Sequence, residues 1–125
     1  MADAQPEVLI IEDDEFLREL ILHKVESEGF NVSIACNGEE GLKKIREEKP
    51  QLVLLDLILP NMDGFKVLTK VKEDEELSSI PVVILSNLGQ KEDIEKALKI
   101  GAADYLIKAH FTPSKIIEKI RNILS

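Results

Sequence analysis

Polar side chains stand at the ends of four short apolar runs in this sequence. In chain order they are a carboxylate pair, a third carboxylate, a hydroxyl and an amine: Glu12 with Asp13, Asp56, Ser86 and Lys108. Clustered carboxylates can hold a divalent cation, and a carboxylate oxygen can also act as a nucleophile. A hydroxyl and an ammonium stabilise the oxygens of a transferring phosphoryl group. This set of groups therefore indicates a site for phosphoryl chemistry.

The four apolar runs have the length and composition of buried parallel strands. They cover residues 8–11, 52–55, 80–85 and 105–107. Each run is too short for a helix and too continuously apolar for a half-exposed strand. In an open parallel sheet with helices on both faces, ligands bind outside the carboxyl ends of the strands. We therefore expect all of the polar groups to emerge at one edge of the sheet.

Segments with helical spacing alternate with these runs, and a β-rich segment at 30–36 supplies one more strand. The residues expected to face the core from the five helices are Leu17, Leu20, Ile21 and Val25; Leu42 and Ile45; Phe65, Leu68 and Val71; Ile94, Ala97 and Leu98; and Ile116, Ile117, Ile120, Ile123 and Leu124. Strict alternation with short connections favours right-handed crossovers. The sequence therefore predicts an α/β fold, a flavodoxin-like doubly wound sheet of five parallel strands in the order 2-1-3-4-5 with five helices.

Residues with clear capping preferences mark the expected helix ends. Asn37, followed three residues later by Glu40, is typical of a capping box at a helix start. Gly29 and Gly101 lie where a left-handed residue would end a helix. Thr112 precedes a proline, which favours the first position of a helix.

The composition excludes several functional classes. The 125-residue chain has 16 basic and 24 acidic residues, a formal charge of −8, which opposes attraction to nucleic acid. The length fits one domain, which we assign to residues 1–125.

No apolar run approaches the roughly 20 residues that cross a bilayer. Cys36 is the single cysteine, and no secretory signal precedes the first strand, so we expect a cytoplasmic protein in which Cys36 is a small packed residue.

The carboxylates are expected to converge if the first and third strands are neighbours. Glu12, Asp13 and Asp56 would then share one pocket, and such a concentration of negative charge recruits a counter-ion. Oxygen ligands of this kind suit Mg²⁺. A simpler explanation is that Asp13 or Asp14 only caps the first helix. Capping does not account for Asp56 at the end of another strand.

Lys108 and Ser86 also have ordinary explanations. Most lysines are solvated surface amines, and serines commonly end strands as turn or cap residues. Lys108, however, directly follows an apolar strand, so a buried stem would aim its ammonium at the carboxylates. There it would pair with Asp56 or with a phosphoryl oxygen.

From about residue 7 to residue 124, the chain resembles the response-regulator receiver domains of two-component signalling. The motifs that carry the resemblance are Ile11-Glu12-Asp13-Asp14, Leu55-Asp56-Leu57-Ile58-Leu59-Pro60-Asn61-Met62-Asp63-Gly64, Ser86, Gly101-Ala102-Ala103-Asp104-Tyr105 and Lys108. The resemblance implies a phosphoacceptor signalling domain of the stand-alone type rather than an enzyme, with at most self-phosphorylation from small donors and slow autodephosphorylation.

The resemblance also implies a role for each site residue. Asp56 would accept the phosphoryl group. Mg²⁺ would be held by Glu12 acting through water, Asp13, Asp56 and the backbone carbonyl of Ile58. Ser86 and Lys108 would contact phosphoryl oxygens. Tyr105 would be an aromatic switch that turns inward when Ser86 moves toward the phosphoryl group, although an ordinary surface aromatic is the alternative.

The partners implied by the resemblance are proteins. The phosphodonor would be a sensor histidine kinase or a histidine phosphotransfer protein. Because the sequence ends with the fifth helix, output is expected through a protein target at the face formed by the fourth helix, fifth strand and fifth helix, or through a phosphorylation-dependent homodimer. Direct contact with nucleic acid or membrane is not expected.

Four positions bear on how the site behaves. The family usually has a proline after its lysine, commonly in a cis peptide, whereas Ala109 follows Lys108 here, and a non-proline cis bond costs about 3 kcal/mol. Asn87, the residue after Ser86, is larger than the alanine or glycine often found there in the family. Ile58 and Leu88 are expected at the mouth of the pocket, where neither can orient an attacking water, so hydrolysis of the phosphorylated form should be slow.

Other classes of protein fit the sequence less well. An unphosphorylated pseudo-receiver that acts as an interaction module is the main alternative, but the acidic set is intact. A phosphohydrolase of the haloacid dehalogenase type would need a second acid two residues after the nucleophile, where Ile58 stands. A nucleotide or flavin enzyme is disfavoured because no glycine-rich phosphate loop follows any strand.

Overall fold

Strands and helices alternate throughout the computed structural model, which describes residues 7–125. The strands are β1 (Glu7–Ile11), β2 (Asn31–Ala35), β3 (Leu52–Leu55), β4 (Val82–Ser86) and β5 (Asp104–Ile107). The α-helices are α1 (Glu15–Ser27), α2 (Gly38–Glu48), α3 (Gly64–Glu73), α4 (Lys91–Ile100) and α5 (Pro113–Leu124), and a 3₁₀ turn covers Lys108–His110.

All five strands are parallel and lie in the order β2-β1-β3-β4-β5, as the alternation predicted. The chain reverses its direction of winding between β1 and β3, which are hydrogen-bonded neighbours. In that pairing Ile11 is level with Leu55. The residues that follow these two strands therefore leave the sheet side by side, at the position where open α/β sheets bind ligands.

The core has two halves, one on each face of the sheet, because successive strand residues point to opposite faces. Leu9 and Ile11 pack with helices α2, α3 and α4, whereas Val8 and Ile10 pack with α1 and α5. Both faces of β1 and β3 are thus covered, which explains why their sequences are continuously apolar.

Two apolar helix positions that were expected in the core are exposed. Leu20 of α1 is 43% exposed and Leu98 of α4 is 46% exposed. In α1 the buried positions are Ile21 and Val25, and Leu20 lies about 100° around the helix from Ile21. In α4 only Ala97 is buried. The expected stripes were wider than the faces that the sheet covers.

The helix ends follow the predicted caps with one difference. Thr112 and Asn37 each accept a hydrogen bond from the backbone three residues on, and Gly29 and Gly101 have positive φ values of 96° and 132°. Glu40 completes no reciprocal capping box, because its carboxylate accepts from the N–H of Cys36 rather than from that of Asn37.

Two smaller expectations were wrong. Cys36 is exposed rather than packed, because it lies in the turn between β2 and α2, beyond the last buried strand residue. Ile80 is buried, but β4 begins only at Val82, since Pro81 has no N–H for the sheet ladder. No helix within residues 7–125 has the length and apolar character needed to span a membrane.

Candidate functional site

Three carboxylates meet at the carboxyl ends of β1 and β3. One oxygen from each of Glu12, Asp13 and Asp56 lies within 4.8 Å of the other two. Glu12 is 2% exposed and Asp56 is 5% exposed, whereas Asp13 is open to solvent. The pairing of β1 with β3 brings these residues together, and the backbone N–H of Asp56 donates to the carbonyl of Ile11 to extend that pairing to the acidic residue itself.

The loop after β1 assigns different positions to its two aspartates. The side chain of Asp14 accepts a hydrogen bond from the backbone N–H of Leu17 at 3.0 Å, so Asp14 is the N-cap of α1. The N–H of Asp14 in turn donates to Oε2 of Glu12 at 3.0 Å. Asp13 is therefore left to the carboxylate cluster, and capping does not explain it.

Lys108 reaches this cluster from the end of β5. Its Nζ lies 2.9 Å from Oδ2 of Asp56, the partner that the sequence indicated. The same nitrogen lies 2.7 Å from Oε1 of Glu12, a contact that sequence reasoning missed. No spacing in the chain signals that contact, because it depends on how far a lysine side chain reaches across β4 and β3.

The site holds more negative than positive charge. Burial raises the pKa of Glu12, and the charge of Asp56 adds to that rise, while Lys108 and the Asp14 N–H oppose it. Burial disfavours the ammonium of Lys108, but its hydrogen bonds to both carboxylates and their charges outweigh that effect and raise its pKa. One ammonium thus faces three carboxylates, and the pocket keeps an excess of negative charge.

These residues fit a hard divalent cation. The three carboxylates supply only oxygen ligands, which is what Mg²⁺ prefers, and the uncompensated negative charge at a buried site favours a cation. The loop after β3 stays close to the Asp56 carboxylate, because the N–H of Ile58 donates to Oδ1 of Asp56 at 3.2 Å. Receiver domains, the family that the sequence resembles, generally bind Mg²⁺ at an acidic pocket of this kind.

Gly64 is a further residue on which the site depends. A Cβ at this position would lie 2.4 Å from the carbonyl oxygen of Asp56 and 2.5 Å from Cα of Leu57. The N–H of Gly64 donates to the carbonyl of Leu57 at 2.9 Å. The start of α3 therefore packs directly onto the backbone of the acidic residue, and only glycine permits that approach. The Asp63-Gly64 pair in the sequence was the signal for this turn.

Ser86 and Tyr105 lie next to each other between the acidic cluster and α4. Ser86 is fully buried, and its Oγ accepts from the N–H of Leu88 at 3.3 Å. The phenol of Tyr105 donates to the carbonyl of Leu88. Burial raises the pKa of Tyr105, the charges of Asp93 and Asp56 add to the rise, and the Ser86 hydroxyl opposes it. Tyr105 is half-buried, and its hydroxyl is bonded to the loop that follows β4.

The remaining sequence positions are on the rim of the site. Ile58 is 57% exposed and Leu88 is half-buried, and both line a groove between α3 and α4. Asn87 is exposed. The peptide bond between Lys108 and Ala109 is trans, and the chain continues from Lys108 into the 3₁₀ turn.

Comparison with known proteins identifies the family. Residues 8–121 match the family model described as the response regulator receiver domain. A curated relative, the DNA-binding dual master transcriptional regulator RpaA of Synechocystis, is 36% identical over 119 residues, which cover 95% of this chain and 49% of that protein.

Solved structures of receiver domains have the same fold as this chain. A CheY-like receiver domain protein from Methanospirillum hungatei has a TM-score of 0.89 and 30% identity, with 96% of this chain and 94% of that chain covered. The BeF3-activated N-terminal receiver domain of RstA from Klebsiella pneumoniae has a TM-score of 0.87 and 28% identity, with 94% and 97% covered.

The chain spans about half the length of the curated relatives that it matches, so the assignment of residues 1–125 to one stand-alone domain stays a prediction. The family itself follows from the match over most of the chain and from the shared fold. The protein belongs to the response regulator receiver domains, the signalling domains of two-component systems.

Proposed function

We propose that Asp56 is a phosphoacceptor, which takes a phosphoryl group from a phosphohistidine on a sensor histidine kinase or a histidine phosphotransfer protein. One observation carries the proposal. Asp56 follows β3, the central strand of the sheet, belongs to the acidic cluster and is paired with Lys108 at 2.9 Å. Receiver domains interact with histidine kinases and downstream effectors, which agrees with this role.

The transfer needs little covalent chemistry from the protein. An oxygen of the ionised Asp56 side chain attacks phosphorus in line, the new O–P bond forms and the P–N bond of the phosphohistidine breaks. The electron pair of that bond returns to the imidazole, which leaves after taking up a proton. Lys108 and Ser86 donate hydrogen bonds to the phosphoryl oxygens, and the buried walls of β1 and β3 keep Asp56 in place.

Glu12, Asp13, Asp56 and the carbonyl of Ile58 would hold Mg²⁺, with Glu12 acting through water. When bound, Mg²⁺ supplies charge neutralisation for the transferring phosphoryl oxygens. Of the proposed side-chain ligands Asp13 is the exposed one, so it gives the pocket access to solvent. Glu12 is the most buried of the three carboxylates, and Lys108 and the Asp14 N–H bind its side chain. Contact with the cation through water is the role that the family resemblance implies for it.

The output would be a shift in a pre-existing equilibrium at the face formed by α4, β5 and α5. Ser86 would follow the phosphoryl group, and Tyr105 would respond because its phenol is bonded to the loop that carries Leu88. A downstream protein, or a second copy of the chain after phosphorylation, would bind this face. The poor anchoring of α4, which buries only Ala97, supports its role as the responsive element.

Nucleic acid and membrane are not proposed as direct partners. The relative from Synechocystis is described as DNA-binding, but this chain spans half of that protein and carries a formal charge of −8, which opposes contact with phosphates. The cytoplasm is proposed as the location, since a free exposed thiol at Cys36 suits a reducing compartment.

The phosphorylation proposal is tested by intact mass after incubation with acetyl phosphate and Mg²⁺. The parent should gain one phosphoryl group, and Asp56→Asn should gain none. Asp63→Asn is the matched control, because Asp63 caps α3 in the same loop without belonging to the cluster. Labelling of Asp56→Asn at the parent level would refute the assignment. Absence of labelling in the parent, with histidine phosphodonors as well, would favour the pseudo-receiver.

The switch is tested by chemical shifts on addition of beryllofluoride, a phosphoryl analogue, to the Mg²⁺-loaded protein. Changes should extend to Tyr105 and its neighbours in α4 and β5. Shifts confined to the loops around Asp56 would show that the site and the face are not coupled.

A further inference from the structure

Arg18 contacts the backbone of the acidic loop from the first turns of α1. Its Nη1 donates to the carbonyl oxygen of Glu12 at 3.1 Å. The side chain is half-buried, and its Nε is buried with no hydrogen-bond partner among residues 7–125. A buried donor without a partner costs free energy. The contact with the Glu12 carbonyl is the one hydrogen bond that the guanidinium makes within residues 7–125.

The contact with Glu12 is not an ion pair. Within the described part of the chain, no carboxylate lies in salt-bridge distance of Arg18, whereas Arg121 on α5 pairs with Glu28 at 2.6 Å. The acceptor is a neutral carbonyl at the point where β1 ends. Glu12 N–H donates to the carbonyl of Ala35 at 3.0 Å, so the peptide units on both sides of the Glu12 Cα are fixed, one by β2 and the other by Arg18.

The second of those peptide units leads directly into Asp13. Asp13 makes no hydrogen bond of its own in the described structure, and its direction is set by the peptide that precedes it. The following residue is fixed as well, because the Asp14 N–H donates to the Glu12 carboxylate and the Arg18 N–H donates to the Asp14 carbonyl at 2.9 Å. The residues on both sides of Asp13 are thus fixed by hydrogen bonds, and Arg18 takes part in those contacts on each side.

We infer that Arg18 is a positioning residue for the cation site, which orients Asp13 by holding the Glu12 carbonyl. The inference rests on the proposed function, since that assigns the cation to this cluster. A planar guanidinium suits the task, because one nitrogen can donate to the carbonyl while the stem packs along the helix. Outer-sphere contacts that fix the ligands of a metal commonly change its affinity by about 10–100-fold.

A purely electrostatic role for Arg18 leads to the opposite expectation. A permanent positive charge near three carboxylates repels a second cation, so its removal would strengthen Mg²⁺ binding. Loss of a positioning contact weakens it. The direction of the change in Mg²⁺ affinity therefore distinguishes the two roles.

The test compares Arg18→Met with the parent and with Arg121→Met, which removes the same charge from an arginine distant from the loop. Two measurements are made: the Mg²⁺ dissociation constant by calorimetry, and hydrogen exchange of the Asp14 amide in metal-free protein. Arg18→Met should bind Mg²⁺ about tenfold more weakly and exchange the Asp14 amide faster, while amides of β1 keep the parent rate. Arg121→Met should match the parent in both measurements, and Arg18→Lys should recover part of the affinity.

Equal or tighter Mg²⁺ binding by Arg18→Met, or an unchanged Asp14 exchange rate, would overturn the positioning role. The exchange measurement uses no metal and no phosphodonor, so it tests Arg18 independently of the proposed function. Failure of the parent to bind Mg²⁺ would instead overturn the cation site itself.

Discussion

The ammonium of Lys108 lies 2.7 Å from a carboxylate oxygen of Glu12, so an ion pair joins the end of β5 to the end of β1 across two intervening strands. The same nitrogen also lies 2.9 Å from Asp56. Lys108 therefore pairs with two of the three carboxylates, although its single charge balances only one of them. Any cation that enters the pocket shares those carboxylates with Lys108.

Replacement of Lys108 by Met should have opposite effects on metal binding and on phosphorylation. Mg²⁺ affinity should rise, because the competing positive charge is removed. Phosphorylation by acetyl phosphate at saturating Mg²⁺ should slow by about tenfold or more, since a charge-assisted hydrogen bond contributes about 1.5–3 kcal/mol. Calorimetry and intact mass measure the two effects.

Lys119→Met is the matched control for that variant, because Lys119 pairs with Asp104 at 2.9 Å on the surface. It should change neither measurement. A fall in Mg²⁺ affinity in Lys108→Met would contradict the competition between the ammonium and the cation.

Substitution of Asp14 should mainly affect stability, and substitution of Asp13 should mainly affect Mg²⁺ binding. Asp14→Ala removes the cap of α1 and should lower the free energy of unfolding by about 1 kcal/mol, with little change in Mg²⁺ affinity. Asp13→Ala should leave the free energy of unfolding nearly unchanged. It should weaken Mg²⁺ binding by ~10-fold or more, because a direct ligand matters at least as much as an outer-sphere partner. Urea unfolding and calorimetry give both quantities, and equal Mg²⁺ affinity in the two variants would contradict the division of roles.

The partial burial of Tyr105 can be tested directly, because it is the single tyrosine of a chain without tryptophan. The absorbance of tyrosinate should titrate above the ordinary pKa of 10.0 in the folded protein, since burial raises it, and near that value in denaturant. Below pH 10 both states hold the proton and the group contributes no pH dependence. As pH rises through 10 and the folded pKa, the unfolded state releases its proton first, so this group lowers the free energy of unfolding.

Tyr105→Phe should lose both the absorbance change and that part of the pH dependence. A titration midpoint at or below 10 in the folded parent would place the phenol in solvent.

The lifetime of the phosphorylated form should depend on the apolar rim. Ile58→Asn together with Leu88→Glu offers polar groups that can orient an attacking water, so the phosphoryl group should be lost faster. Ile58→Asn alone should give part of the effect at little cost in stability, since Ile58 is 57% exposed. Decay is followed by intact mass after removal of the donor.

Leu98→Asn is the control for the rim, because Leu98 is also apolar and exposed, at 46%, but lies on α4. The phosphorylated form of this variant should lose its phosphoryl group at the parent rate. An unchanged or slower decay in the double variant, with Mg²⁺ affinity preserved, would show that the rim does not set the lifetime.

Local patterns in the sequence were sufficient for the strand order and for the membership of the acidic cluster. Continuous apolar runs such as Leu52–Leu55 require burial on both faces, and only a few right-handed arrangements of five such strands with short connections satisfy that requirement. Once β1 and β3 are neighbours, Glu12 and Asp56 must emerge together. Each of these steps depends on the character of consecutive residues, which a single sequence contains.

The tertiary structure alone decided which contacts the polar groups make. The sequence predicted that Leu20 and Leu98 are buried, and both are exposed. It contained no sign that Lys108 would reach Glu12 or that Arg18 would hold the Glu12 carbonyl. These outcomes depend on side-chain reach, on the rotation of each helix about its axis and on how much of a helix the sheet covers. Those quantities arise from the packing of elements distant in the chain, and residue spacing does not specify them.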